Sequence, residues 1–218
     1  MPYRAIATDY DGTLANDGVV DEATWKAVAA FCQSGRQMIL VTGRQLNELA
    51  QVCPHLDRFA AVVAENGAVL HWPLSGYTQR LGNPPPPEFI DHLQQAGVEA
   101  INCGDVIVAT WQPHGASVQA TVAAMQLDFQ VILNKRAVMV LPKGIDKASG
   151  LKTALIHLQI APEEVAGIGD AENDMPLLQT CGLGVAVANA LPELKAIADY
   201  TTTAERGAGV QELIQRLL

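Results

Sequence analysis

The stretch ATDYDGT, residues 7–13, ends an apolar run that begins at Ala5 and places two carboxylates, Asp9 and Asp11, one residue apart. An apolar run that stops at acidic and turn-forming residues predicts a buried strand that ends at Asp9. Two like charges at a strand end repel each other unless something binds them. This stretch is therefore the first candidate for a functional site.

Further apolar runs alternate with amphipathic stretches of helix length, the pattern of βαβ units around a parallel sheet. Residues 22–34 carry apolar side chains at helical spacing, and Asp21 is a candidate N-cap, so they predict the first crossover helix. Asn66-Gly67 predicts a hairpin turn after the third strand. The predicted core strands are RAIAT (4–8), QMILVT (37–42), AAVVA (60–64), EVAGIG (164–169) and GLGVAV (182–187).

The pattern changes after four consecutive prolines, Pro84 to Pro87, which predict a stiff connector. Beyond them a helix and two short strands occur twice, as expected of an antiparallel sheet with helices on one face. The helices are predicted at 88–97 and 115–126 and the strands at 99–103, 106–111, 129–134 and 136–141. The sequence thus predicts an α/β protein with a Rossmann-like parallel-sheet core, residues 1–82 and 143–218. A small α+β cap (αββαββ), residues 83–142, is inserted in it.

Composition limits the classes of function. The 218 residues include 14 basic and 23 acidic side chains, a formal charge of −9 that disfavours nucleic acid as a partner. No apolar run approaches the ~18 residues that span a bilayer, and the first residues lack the features of a signal peptide, so we expect a cytoplasmic protein without membrane contact. The four cysteines form no Cys-x-x-Cys pair and are expected to be reduced core thiols.

Four polar residues lie at the ends of predicted strands, where ligands bind in open α/β sheets. They are Asp9, Asp11, Thr42 and Asp170. Carboxylates brought together there need a divalent cation, and hard oxygen ligands without His or Cys favour Mg²⁺. One aspartate can attack phosphorus, the other can transfer protons, and glycine-flanked amides can hold a phosphate.

Two candidates have competing interpretations. Lys147 is the candidate cation for the phosphoryl group, but Lys143, four residues earlier, competes with it, and both can be solvated loop charges. Arg44 can support a phosphate or simply pair with an acid. Trp111 and His114, near a cap loop, are further candidates for substrate contact.

Five motifs follow one another along the chain: DYDGT (9–13), VTGR (41–44), ENGA (65–68), KGIDKASG (143–150) and GDAEND (169–174). In these ordered motifs the sequence resembles the haloacid dehalogenase-like phosphohydrolases, and within them the Cof-type and sucrose-phosphatase-like branch. The small insertion resembles that of phosphoglycolate-phosphatase-like members.

The resemblance implies a role for each matching residue. Asp9 becomes the nucleophile and a Mg²⁺ ligand, and Asp11 the general acid/base that binds the metal through its main-chain carbonyl. Thr42 binds phosphate and Lys147 steadies the nucleophile and phosphoryl group. The remaining implied residues are the metal ligands Asp170 and Asp174 and the phosphate-site supports Gly43, Arg44 and Asn173.

These residues predict a Mg²⁺-dependent phosphatase that hydrolyses a small phosphorylated metabolite, phosphoglycolate or a sugar phosphate, through an aspartyl-phosphate. A phosphomutase of the same superfamily would use the same core. A non-catalytic phospho-receiver or metabolite sensor also combines acidic residues, a Thr and a Lys at strand ends, but it would be shorter and lack a cap. A monomer and a homodimer are both compatible with the sequence.

Overall fold

The computed structural model describes residues 3–218, and its buried core strands follow the apolar runs of the sequence. In these residues the strands are β1 (Ala5–Thr8), β2 (Gln37–Val41), β3 (Ala61–Ala64), β4 (Val69–Trp72), β5 (Tyr77–Arg80), β6 (Asn102–Cys103), β7 (Val108–Trp111), β8 (Phe129–Asn134), β9 (Ala137–Pro142), β10 (Val165–Gly169), β11 (Leu183–Ala186) and β12 (Tyr200–Thr201). The helices are α1 (Glu22–Gln33), α2 (Leu46–Val52), α3 (Glu88–Gln95), α4 (Gly115–Ala124), α5 (Lys147–Leu158), α6 (Met175–Thr180), α7 (Pro192–Ile197) and α8 (Arg206–Leu217).

The larger sheet has eight strands in the order β12-β11-β10-β1-β2-β3-β4-β5. Its strands from β12 to β3 are parallel, and β4 and β5 continue it in antiparallel pairing. The fully buried β1 lies between β10 and β2, so the carboxyl ends of these three strands meet at one edge. The predicted α/β class with a Rossmann-like core is confirmed.

The first crossover helix is confirmed to within one residue, because α1 ends at Gln33. The amide of Thr24 donates to the Asp21 carboxylate at 2.7 Å, which satisfies one of the free N–H groups of the helix start. Trp25, Val28 and Phe31 are buried along one face of the helix. This apolar stripe fixes how the helix packs on the sheet.

The predicted hairpin after β3 is also confirmed, since β3 and β4 pair antiparallel across a tight turn at Glu65–Gly67. Asn66 and Gly67 have positive φ of 54° and 107°. A Cβ at Gly67 would lie 1.9 Å from the carbonyl oxygen of Asp146, so only glycine fits there. The turn therefore lies against the start of α5.

The smaller sheet has the order β6-β7-β9-β8, with all pairs antiparallel. On one face, Val138 and Val140 pack in a cluster with α3 and α4, whereas Met139 and Leu141 on the other face join the core of the larger sheet. The αββαββ insertion is thus present. Because side chains alternate along its strands, one face of its sheet packs against α3 and α4 and the other face packs against the core. The boundaries at residues 82/83 and 142/143 stay predictions.

Two cap strands are shorter than predicted. The strand expected at 99–103 is paired only at Asn102–Cys103, since Ala100 has a positive φ of 49° that interrupts an extended chain. The strand expected at 106–111 begins at Val108, because the preceding amides bond to a core carboxylate described below.

Among residues 3–218, no helix combines the length and apolar character that crossing a bilayer needs. The four cysteines are free, as expected. The prediction that all are core thiols was wrong for Cys103, which is exposed on the short strand β6.

Candidate active site

Three loops from the carboxyl ends of neighbouring strands form the site. Asp9 follows β1, Thr42 follows β2 and Asp170 follows β10. The amide of Asp9 donates to the carbonyl of Ile168 in β10, and the amide of Thr42 donates to the carbonyl of Val63 in β3. The pairing of the sheet therefore continues one residue past the ends of β1 and β2. The parallel register therefore brings together residues that are more than 150 positions apart.

Asp9, Asp170 and Asp174 form a carboxylate cluster in which one oxygen of each lies within 4.8 Å of the others. All three are almost fully buried, with at most 5% of the residue exposed. The Lys147 ammonium lies 2.6 Å from Asp9 Oδ1 and 2.6 Å from Asp174 Oδ1. One buried lysine thus serves two buried carboxylates.

Lys147 is held in place by its position as the first residue of α5. Asp146 caps that helix, accepting from the amide of Ser149 at 2.8 Å, while the Ser149 hydroxyl accepts from the amide of Asp146 at 2.9 Å. Lys143 instead forms an exposed ion pair with Asp128 at 2.9 Å. Of the two candidate lysines, only Lys147 lies at the carboxylate cluster.

Asp174 also shapes the loop after β10. Its Oδ2 accepts from the amides of Asp170 and Ala171 at 2.9 and 3.0 Å, so both of its oxygens are used. Asn173, beside it, donates to the side-chain oxygen of Asn66 at 2.9 Å and ties this loop to the turn after β3. Asn173 is not part of the cavity wall described below.

Burial and charge crowding perturb the proton affinity of the cluster. Burial, opposed by Lys147 and reinforced by Asp174 and Asp170, raises the pKa of Asp9 to about 7. The pKa of Asp170 is also raised, chiefly by burial, although the hydrogen bond from Lys135 opposes this. Burial disfavours charged Lys147, but attraction to Asp174 and Asp9 outweighs that cost and raises its pKa. The cluster carries more negative charge than its lysines neutralise.

This excess of buried negative charge is what a divalent cation would relieve. The donors are carboxylate oxygens, the ligand type preferred by hard cations such as Mg²⁺ and Ca²⁺. Asp9, Asp170 and Asp174 are therefore a set of side chains that could hold a divalent metal ion.

Asp11, predicted next to Asp9, directs its side chain away from the cluster. Its carboxylate accepts two bonds from the Arg44 guanidinium, at 2.5 Å from Nε and 2.8 Å from Nη2. The amide of Arg44 donates to the Thr42 hydroxyl at 3.1 Å. Arg44 is thus paired with an acid, the second of the two interpretations that the sequence left open.

A cavity of about 620 Å³ opens between the two sheets, above the carboxylate cluster. Trp111 lines it, as the sequence suggested, but His114 does not; its ring nitrogen accepts from the amide of Glu99 at 3.4 Å. The walls combine core and cap residues: Asp9, Asp11, Thr42, Gly43, Arg44, Gln45 and Glu48 from the core, and Asn102, Ile107, Ala109, Thr110, Trp111, Asn134, Lys135, Arg136, Ala137 and Met139 from the cap.

Two residues link the cap to the core through contacts that the sequence did not predict. Glu65, buried and with a positive φ of 50°, accepts from three successive cap amides, those of Asp105, Val106 and Ile107, at 2.7, 2.8 and 2.9 Å. Lys135, in the turn between β8 and β9, places its ammonium 2.6 Å from Asp170 Oδ2. Nothing in the local sequence marks either contact, since each joins residues at least 35 positions apart.

A sequence model of the haloacid dehalogenase-like hydrolase family matches residues 6–111 and 118–214. The chain belongs to this family. Its resemblance to the family in the ordered acidic, threonine and lysine motifs is thereby confirmed.

Similar proteins cover this hydrolase from end to end. A protein named phosphoglycolate phosphatase from Methanothermobacter thermautotrophicus is 34% identical, over 99% of each chain. Another of the same name, from Natronomonas pharaonis, is 29% identical over 97% of this chain and 96% of its own. The crystal structure of a haloacid dehalogenase-like hydrolase from Bacteroides thetaiotaomicron has a TM-score of 0.86 at 21% identity, over 99% of this chain and 100% of that one, which shows a shared fold.

The arrangement in this hydrolase suits phosphoryl chemistry. Asp9 lies in the cavity wall, and the Lys147 ammonium on its carboxylate keeps that side chain oriented. Thr42 and Gly43 line the same wall, and a hydroxyl and a backbone amide are groups that can bind phosphate oxygens. A buried carboxylate that is held by a lysine therefore lies in the same cavity wall as a threonine and the glycine that follows it.

Proposed function

We propose that this hydrolase is a Mg²⁺-dependent phosphatase that removes the phosphoryl group of a small metabolite, phosphoglycolate or a sugar phosphate. The observation that carries the proposal is the buried Asp9 carboxylate, which faces the cavity and is held 2.6 Å from Lys147 within a cluster of acids. Phosphoglycolate is favoured because relatives named for that activity match this chain over nearly its whole length.

The proposed first step forms a phosphoenzyme. An Asp9 carboxylate oxygen attacks phosphorus, the bond from phosphorus to the ester oxygen breaks, and that oxygen leaves with the electron pair and accepts a proton from the Asp11 carboxyl group. Since the Asp11 side chain lies on Arg44, it must turn from Arg44 toward the substrate to do this. Its half-exposed position, with 43% of the side chain accessible, leaves room for such a rotation.

The second step regenerates the enzyme. A water molecule gives a proton to Asp11, and the oxygen of that water attacks phosphorus. The bond between phosphorus and the Asp9 oxygen then breaks, and inorganic phosphate leaves. Lys147 stabilises the Asp9 carboxylate as it re-forms, and Thr42 with the backbone of Gly43 holds the phosphoryl oxygens. Arg44 and Asn173 support the phosphate site: Arg44 holds Asp11 beside the cavity until that side chain turns toward the substrate, and Asn173 fixes the loop after β10.

Asp9, Asp170 and Asp174 would hold the Mg²⁺, with the main-chain carbonyl of Asp11 as a further ligand. The bound cation supplies charge neutralisation between the carboxylates and the incoming phosphate. Residues 83–142, proposed as the cap, cover the cavity and exclude water from it.

Phosphate release from phosphoglycolate, hexose and pentose phosphates and nucleotides, measured with Mg²⁺ or with EDTA, tests the proposal. We expect metal-dependent turnover that is lost in Asp9→Asn and retained in Asp57→Asn, the same change on an exposed acid. Product analysis with a hexose monophosphate distinguishes hydrolysis from a mutase reaction. A stable phosphoenzyme without turnover would favour a receiver or sensor instead.

A further inference from the structure

The turn between β8 and β9, residues 135–136, forms part of the cap wall of the cavity. It is held against the core by Lys135, whose ammonium contacts Asp170 and whose amide donates to the Glu172 carboxylate at 3.0 Å. Arg136 is fixed on its other side, since its carbonyl accepts from the amide of Gln112 at 2.8 Å. The turn is therefore anchored to the core through Lys135 and to the residue that follows β7 through Arg136.

Charged groups in the cavity wall are mostly paired. Arg44 is bound by Asp11, and Lys135 by Asp170. The Glu48 carboxylate accepts from the side-chain NH₂ group of Asn102 at 2.8 Å. The side chain of Arg136 forms no ion pair or hydrogen bond with any group of residues 3–218. Of the three basic residues in the cavity wall, Arg44, Lys135 and Arg136, Arg136 is therefore the one whose side chain has no partner among the described residues.

We propose that Arg136 binds a second anionic group of the substrate, a carboxylate or a second phosphate, and so determines specificity. This inference rests on the proposed phosphatase function. A guanidinium can donate two parallel hydrogen bonds to either kind of anion.

The two anionic groups must fit into one cavity. Asp9 and Arg136 both line the cavity of about 620 Å³, and Lys135, the residue before Arg136, reaches Asp170 of the carboxylate cluster at 2.6 Å. The substrate class is therefore a small phosphate monoester that carries its second anion within the same cavity.

The test compares three esters in Mg²⁺: phosphoglycolate, ethylene glycol bisphosphate, and the uncharged-end analogue 2-hydroxyethyl phosphate. The variants are Arg136→Gln, Arg136→Lys and, as a matched loss of charge, Lys152→Gln on an exposed site of α5 outside the cavity. Thermal melts of each variant establish that the fold is intact.

We expect Arg136→Gln to lower kcat/KM by about 10–100-fold for substrates with a second anion, mainly through KM, and by less than about twofold for 2-hydroxyethyl phosphate. For these substrates, the kcat/KM of Arg136→Lys should lie between those of Arg136→Gln and the wild type, and the kcat/KM of Lys152→Gln should equal that of the wild type. A larger loss with phosphoglycolate than with the bisphosphate identifies the second anion as a carboxylate, and the reverse identifies it as a phosphate.

Equal losses on charged and uncharged substrates, or no loss on any, would overturn the role of Arg136 while leaving the phosphatase intact. Equal kcat/KM of the wild type for 2-hydroxyethyl phosphate and for the two esters with a second anion would also overturn the role of Arg136 and leave the phosphatase intact. Wild-type protein that hydrolyses none of the three would overturn the proposed function on these substrates and this inference with it.

Discussion

Replacing Asp9 by asparagine should stabilise the metal-free protein at neutral pH while it abolishes turnover. Asp9 is 5% exposed and belongs to a cluster with Asp170 and Asp174. Burial, together with these neighbouring charges, raises its pKa from 3.8 to about 7 despite Lys147. Asparagine has nearly the same shape and no charge, so it removes the cost of ionising a buried group.

The sign and the size of the change in the free energy of unfolding follow from the proton affinity of Asp9 in the folded and the unfolded chain. Folded Asp9 holds its proton more tightly than the unfolded chain does, so it contributes stability below about pH 4 that is lost as the pH rises through about 7. At about 1.4 kcal/mol per tenfold change in proton affinity, this pKa difference corresponds to about 4 kcal/mol at most. Relaxation of the buried site lowers the gain to about 2–4 kcal/mol above pH 7.

Urea unfolding followed by tryptophan fluorescence measures this difference. In EDTA, the stability of Asp9→Asn relative to the wild type should increase from about pH 4 to about pH 7 and then stay constant. Mg²⁺ should reduce the difference because it binds the wild-type carboxylates and stabilises that protein more. Asp57→Asn serves as the control. A variant no more stable than the wild type at any pH in EDTA would refute the electrostatic argument.

Three further substitutions test the site and its supports. Lys147→Gln should lower kcat by at least about 100-fold, whereas Lys143→Gln should stay within about twofold of the wild type; similar activities of the two variants would contradict the choice of Lys147. Glu65→Gln should lower the free energy of unfolding by about 1–3 kcal/mol, because an amide group cannot accept as well from three cap amides; an unchanged urea midpoint would argue against this link. Gly67→Ala should lower the free energy of unfolding by more than about 3 kcal/mol because its Cβ would meet Asp146. Gly76→Ala, also at positive φ but with nothing within 4 Å, should lower it by about 1–2 kcal/mol. Equal losses in urea unfolding would contradict the steric reason.

The residues at the strand ends could be predicted because buried parallel strands consist of short runs of apolar residues. Asp9 and Asp170 each follow such a run directly, and parallel strands necessarily bring their carboxyl ends to one edge. The short outer strands β5 and β12 were not predicted, since their residues are mostly exposed and polar and carry no apolar alternation.

Contacts between distant segments could not be predicted from the local pattern. That pattern does not distinguish Lys143 from Lys147; the family resemblance implied Lys147, and the capped start of α5 places it on Asp9. Lys135 and Glu65 connect the cap to the core through pairings that depend on how the two sheets meet. Hydrophobic periodicity specifies elements and their buried faces, but it does not specify which surface side chains meet when those elements pack.

Rapid acid quench of the protein during turnover of phosphoglycolate in Mg²⁺, followed by mass spectrometry of its peptides, tests the central claim most directly. The account predicts a phosphoryl group on the peptide that contains Asp9, formed and lost at rates compatible with turnover and absent from Asp9→Asn. Turnover retained in Asp9→Asn, or a phosphoryl group on any other residue, would contradict it.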